Sequence, residues 1–181
     1  MKNLPNLLSC ARLALAPYVF VLQLRHRYTA VLWMFALLGI TDIIDGFLAR
    51  KLNATSRIGA YIDPLADKLL LSGMFLVLAF TGTIEKWLAA VVLGRDVLIL
   101  LVAGALYLFT KRRNFPPSPW GKISTFVQIL FVMFAIGELA GIVGHTPVTG
   151  LKWLTVGLAV VSLVDYGRQT LASGKAGGHS L

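Results

Sequence analysis

The sequence predicts an all-α integral membrane protein with six transmembrane helices and an interfacial N-terminal segment. Three observations lead there. Of 181 residues, 57% are apolar or aromatic and only 14% are charged, where a soluble domain carries about 45–50% and about 25%. The mean hydropathy is +0.76. Apolar windows of about 20 residues, the length that spans a bilayer, recur along the whole chain between short connectors. This composition excludes a disordered chain, a coiled coil, a collagen-like fibre and a disulfide scaffold. One cysteine, Cys10, gives no internal disulfide and no thiolate metal site, and three histidines leave little for a His-based one.

The elements follow in order. The first window is 5–24. Lys2 before an apolar run is reminiscent of a signal peptide, but Pro5, Asn6 and Arg12 interrupt the run and no small-residue cleavage site follows. Its early part, Leu4 to Ala16, is expected along the interface. Arg25–Tyr28 leads to a second span at 29–48, and a third covers 63–81. Thr81–Lys86 leads to 87–109, the Pro-rich Asn114–Pro119 to 122–143, and Gly144–Pro147 to 148–166. Residues 1–172 form one expected membrane domain, and the Gly- and Ser-rich 173–181 an expected disordered tail. Three of Trp33, Trp87, Trp120 and Trp153 suit an aromatic belt, and Gly94, Ala103, Gly104 and Ala105 suit close helix packing.

The net charge is +9. No basic stripe sits on a soluble face, so the expected partners are anionic headgroups and phosphorylated substrates rather than nucleic acid. With both termini inside, the inner segments hold nine basic residues: Lys2, Arg50, Lys51, Arg57, Lys111, Arg112, Arg113, Arg168 and Lys175. The outer loops hold three, Arg25, Arg27 and Lys86. The positive-inside rule therefore places both ends, and residues 49–62 and 110–121, in the cytoplasm.

The acids carry the chemical signal. Of eight, only Glu85 sits clearly in a loop; Asp42, Asp45, Asp63, Asp67, Asp96, Glu138 and Asp165 fall within or at the ends of apolar spans. A carboxylate at a helix centre costs roughly 2.5–3.5 kcal/mol to insert. Asp42 and Asp45 are three apart near the end of span two, and Asp63 and Asp67 four apart at the start of span three. Those spacings place each pair on one helix face. Four converging carboxylates repel unless cations intervene. Oxygen ligands without His or Cys suit Mg²⁺, Mn²⁺ or Ca²⁺, and four carboxylates can hold two ions about 3.5–4 Å apart across a phosphoryl group. Gly46 and Gly59 allow close approach of a ligand, and Arg50, Lys51 and Arg57 supply cations for phosphate. The plainer alternative takes Asp63 as a helix N-cap followed by Pro64. Asp42 could then pair with a basic residue elsewhere. Buried acids in a six-span bundle also suit a cation transporter or channel, but here they cluster at one end rather than forming a path.

From Asp42 to Asp67 the chain reads D-I-I-D-G-F-L-A-R, eight residues, then G-A-Y-I-D-P-L-A-D. This resembles the D-x2-D-G-x2-A-R-x8-G-x3-D-x3-D signature of the CDP-alcohol phosphotransferases. Asp42, Asp45, Gly46, Ala49, Arg50, Gly59, Asp63 and Asp67 fill every fixed position. The resemblance implies phospholipid biosynthesis: transfer of a phosphatidyl group from CDP-diacylglycerol to an alcohol, with release of CMP. By similarity, Asp42, Asp45 and Asp63 would hold one Mg²⁺ or Mn²⁺, and Asp42, Asp63 and Asp67 a second. Gly46, Ala49, Arg50 and Gly59 would line the CDP pocket together with Asp42, and Asp67 would be the general base. It also implies a homodimer in the cell's inner (cytoplasmic) membrane, with the active site facing the cytoplasm.

For the acceptor, Arg95 beside Asp96 in span four and Lys122 at the start of span five are candidates for an anionic group. Neutralisation of Asp96 by Arg95, and snorkelling of Lys122 to the interface, are the alternatives. S-P-W-G-K-I-S-T-F-V-Q resembles the phosphatidylglycerophosphate synthases, which implies glycerol 3-phosphate. Those commonly carry Arg-Glu in span four and a further Arg within two turns; this chain has Arg95-Asp96 and then no charge through Tyr107. L-L-G-I-T-D-I-I-D-G-F-L-A-R and G-R-D-V-L-I resemble the cardiolipin synthases of the same family, which implies phosphatidylglycerol.

Overall fold

A computed structural model describes the backbone of residues 4–51, 59–109 and 119–175, and the side chains of 11, 13–41, 68–102, 104 and 119–169. Among the described residues the fold is entirely helical. Six helices follow in order: α1 (Leu4–Leu24), α2 (Tyr28–Lys51), α3 (Gly59–Phe80), α4 (Lys86–Phe109), α5 (Pro119–Leu139) and α6 (His145–Lys175). Among the described residues two stretches are long and apolar enough to cross a membrane, Pro119–Leu139 and His145–Gln169. Shorter apolar stretches occupy Leu13–Leu24, Tyr28–Thr41 and Lys68–Phe80.

Each apolar window became a helix, with most ends shifted by a few residues, and three of the shifts bear on the site and the connectors. α3 opens at Gly59, four residues before the expected start. Asp63 therefore lies inside the helix and is not its N-cap. α5 ends at Leu139 rather than 143 because Gly141 takes a left-handed φ of 72°. α6 continues to Lys175, past the expected start of the tail at 173, since Ser173 and Gly174 near a helix end lower its stability without stopping it. Residues 176–181, like Arg57, Lys111, Arg112, Arg113 and most of the Pro-rich connector, lie outside the described residues.

Three helix ends close in the same way. After α1, Arg27 N–H donates to the Leu22 carbonyl (3.0 Å) and His26 N–H to Gln23 (3.0 Å). After α3, Thr83 donates to Leu78 (2.9 Å) and Gly82 to Ala79 (3.3 Å). After α5, Ile142 donates to Gly137 (2.9 Å) and Gly141 to Glu138 (3.0 Å). Each pair is a Schellman closure, which satisfies carbonyls the helix end leaves open. The left-handed position is glycine twice and His26 (φ 57°) once. The His26 Nδ1 and Tyr28 hydroxyl share a hydrogen bond of 2.5 Å.

The chain divides into two compact units, Met1–Ile84 with Val132–His145, and Glu85–Phe131 with Thr146–Leu181. In the first, α1 packs against both α2 and α3. The Phe20 ring of α1 occupies the space left by Gly73 of α3: a Cβ there would lie 2.2 Å from Phe20 Cζ. Packing of small residues against large ones drives helix association where lipid removes the usual hydrophobic difference. His145 donates from Nδ1 to Glu138 Oε1 (2.7 Å), giving Glu138 the partner its place in a span requires.

In the second unit α4 and α6 run parallel in one register. Lys152 Nζ donates to Glu85 Oε1 (2.7 Å), and Arg95 donates to the Ser162 hydroxyl; both pairs are 67 residues apart. The Trp87 and Trp153 rings lie 6.0 Å apart beside the first pair, and Lys152 sits 5.5 Å over the Trp153 ring. The same offset aligns buried Leu88 with Thr155 and Val92 with Ala159. The spacing of three and four along 85, 88, 92, 95 and along 152, 155, 159, 162 is that of a helix seam.

Candidate active site

The acidic residues of the motif sit on two helices. α2 is helical through Lys51, so Asp42 and Asp45 fall one turn apart on one face, with Gly46, Ala49 and Arg50 in the next turns. α3 is helical from Gly59, so Asp63 and Asp67 fall one turn apart near its start. The side chains of these eight residues lie outside the described residues. α1 packs on both carrier helices and so ties the two halves of the motif to one scaffold. The donor set fits hard divalent cations: four carboxylates at helical spacing, with neither His nor Cys among them. Among the described side chains no group of three or more His, Cys, Asp or Glu lies together.

The acceptor candidates differ sharply from each other. Lys122 is exposed, four positions into α5. Arg95 is 4% exposed and Asp96 8%. Arg95 Nη1 donates to Asp96 Oδ1 at 2.6 Å, and Nη2 donates to Ser162 Oγ on α6. The Arg95 Nε is buried with no partner among the described residues. Arg95 thus neutralises Asp96, as the plainer alternative expects, and its guanidinium keeps a donor without a partner among the described residues.

Further buried polar groups escaped the sequence reading. Gln128, one turn beyond Ser124 on α5, is fully buried; its amide donates to Ser124 Oγ at 3.4 Å and its Oε1 has no partner among the described residues. Thr155 Oγ1 and Tyr166 Oη on α6 are in the same position, as are both amide atoms of Gln23 on α1. The stripe Lys152, Thr155, Ser162 and Tyr166 is visible in the sequence once α6 is known to use that face. Asp165 accepts from Gln169 Nε2 at 2.9 Å. At the head of α4, the hydrogen bond from Lys152, then a backbone hydrogen bond, hold the Glu85 carboxyl below its ordinary value.

The model of the family described as CDP-alcohol phosphatidyltransferase matches residues 2–164. A CDP-diacylglycerol–glycerol-3-phosphate 3-phosphatidyltransferase of Aquifex aeolicus is 37% identical over 166 residues, covering 90% of this chain and 88% of that protein. A probable phosphatidylglycerophosphate synthase of Mycobacterium tuberculosis is 33% identical, covering 92% and 80%. A CMP-forming cardiolipin synthase of Rattus norvegicus is 30% identical, covering 93% of this chain and 63% of that protein.

Proposed function

Since the chain belongs to the CDP-alcohol phosphatidyltransferase family, and is thereby a membrane transferase of phospholipid biosynthesis, we propose that it transfers the phosphatidyl group of CDP-diacylglycerol to glycerol 3-phosphate and releases CMP. The observation that carries this reading is the complete eight-position motif across α2 and α3. It favours catalysis over an ion pathway. The Aquifex relative's name and the α5 segment from Ser118 to Gln128 favour glycerol 3-phosphate. A second reading, phosphatidylglycerol as acceptor, draws on the rat relative's name and on Gly94 to Ile99.

Asp42, Asp45, Asp63 and Asp67 would hold two divalent ions, Mg²⁺ or Mn²⁺. When bound, the ions supply positive charge that stabilises the developing charge on the transferred phosphate. Gly46, Ala49, Arg50 and Gly59, together with Asp42, would receive the CDP group, Arg50 by its guanidinium and the glycines by letting backbone approach. Asp67 takes the proton from the acceptor hydroxyl, whose oxygen then attacks the lipid-linked phosphorus as CMP leaves. The fixed positions of the motif hold no Ser, Thr, Cys, Lys or His, and in this reading its four carboxylates serve as metal ligands and base, which favours a single displacement. Arg95 contacts the acceptor phosphate, and Lys122, exposed near the start of α5, draws the anion in.

In this reading all six helices cross the cell's inner membrane, residues 1–172 are one catalytic domain followed by a short tail, and the protein works as a homodimer. The nine-to-three basic bias favours both termini and the active site on the cytoplasmic side. Residues 4–16 belong to the continuous helix α1. The test is CMP release by purified protein with CDP-diacylglycerol and Mg²⁺, with glycerol 3-phosphate and phosphatidylglycerol in parallel and Asp67→Asn as blank. Release with glycerol 3-phosphate alone is expected. Release with phosphatidylglycerol alone moves the chain to the second reading, and release with neither sinks both.

A further inference from the structure

The second unit holds a guanidinium that is gripped on one side and open on the other. Arg95 gives one N–H of Nη1 to Asp96 and one of Nη2 to Ser162. A guanidinium has five N–H bonds in a rigid fork. Nε, on the remaining edge, is buried and has no partner among the described residues. A buried donor without an acceptor is costly, so a site that keeps one favours an anionic ligand. Ser162 is 1% exposed. Its place beside Arg95 is set by the seam, since the pairs 85–152 and 95–162 share one offset and stand ten residues, about 15 Å, apart along the helices. Two ties at that separation fix both the height and the rotation of α6 against α4. Asp96 neighbours Arg95 on the same helix and holds it from α4 alone. Ser162 is the contact that orients the guanidinium from another helix.

We infer that Ser162 is a positioning residue for acceptor recognition. By accepting from Nη2 it turns the free Nε edge of Arg95 toward the phosphate of the acceptor, without touching substrate itself. The inference rests on the reading of Arg95 as the acceptor contact and extends it to a residue on α6. The chemistry recognised is a phosphate carried by the acceptor, as a monoester in glycerol 3-phosphate or a diester in phosphatidylglycerol.

The test is steady-state CMP release by wild type, Ser162→Ala, Ser162→Thr and Arg95→Lys, varying each substrate in turn and using whichever of the two acceptors the wild type accepts. Ser162→Ala is expected to raise the acceptor KM about tenfold. It should leave kcat and the CDP-diacylglycerol KM within about twofold, and Ser162→Thr, which keeps the hydroxyl, should restore the acceptor KM. A serine with only a packing role would instead lower the active fraction and the melting temperature with the acceptor KM unchanged, and that result overturns the proposal. If Ser162→Ala cannot be purified, Ser162→Cys, of similar size and a weak acceptor, takes its place under the same criteria. Arg95→Lys separates the two claims. If it leaves the acceptor KM unchanged, the reading of Arg95 fails and the inference with it. If it raises that KM and Ser162→Ala does not, Ser162 alone is wrong.

Discussion

This chain places charge within its helices in two ways, and the two are opposites. On α2 and α3 the motif gathers four carboxylates at helical spacing, with Arg50 and Lys68 as its nearest basic neighbours in sequence. On α4 the charges come as a cation and an anion in contact, with a hydroxyl from α6 completing the set. The first arrangement has the donor chemistry that suits divalent ions supplied from outside. The second is nearly complete and asks only for one more acceptor at Nε. Removing a charge should therefore have opposite structural consequences in the two places.

The largest effect belongs to the motif. Asp67→Asn is expected to reduce CMP release by about a thousandfold, the equivalent of several kcal/mol of lost transition-state stabilisation. The same variant should melt no earlier than wild type in chelator, because one of four repelling carboxylates has gone. A fall in melting temperature there would erase the contrast. Next comes Arg95→Ala, which strands Asp96 in a buried site. Breaking such a pair costs about 3–5 kcal/mol, read as a lower midpoint in detergent unfolding. If Arg95→Ala melts like wild type, the α4 pair is no more self-sufficient than the motif.

A packing change calibrates both. Gly73→Ala should cost about 1–3 kcal/mol by overpacking against Phe20. Phe20→Leu should recover part of that loss, measured as a double-mutant cycle. The smallest effect is at the far end of the seam. Bonding to Lys152 lowers the folded-state pKa of Glu85 from 4.5. Its contribution is therefore present above that ordinary value and is lost as pH falls through the lowered one. Glu85 is 48% exposed, so the pair is worth no more than about 1 kcal/mol and weakens with salt. Glu85→Gln should remove this part of the melting-temperature change between pH 7 and pH 3, and leave any remainder untouched.

The same contrast explains which features were legible in the sequence. Asp42 with Asp45, and Asp63 with Asp67, are separated by three and four residues, and helical periodicity alone groups them. The helices themselves followed from window length. Where a boundary was misjudged, local chemistry misled: Asp63-Pro64 imitates a helix start, yet the apolar Ala60–Ile62 stretch continues α3 back to Gly59. Arg95 with Ser162 is a different kind of fact. Nothing in the 66 intervening residues announces it, because the pairing is created by the α4–α6 register. Gln128 escaped for a related reason: a polar residue amid apolar ones does not say which way its helix faces.

The three self-closed turns bear on how such a chain enters lipid. Three residues join α1 to α2, and five join each of the pairs α3–α4 and α5–α6. In each, the amides that follow the helix bond to carbonyls of its own last turn. A joint sealed in this way needs no neighbouring helix to complete it. Backbone groups satisfied within the joint carry no penalty for leaving water, whichever helices lie beside it.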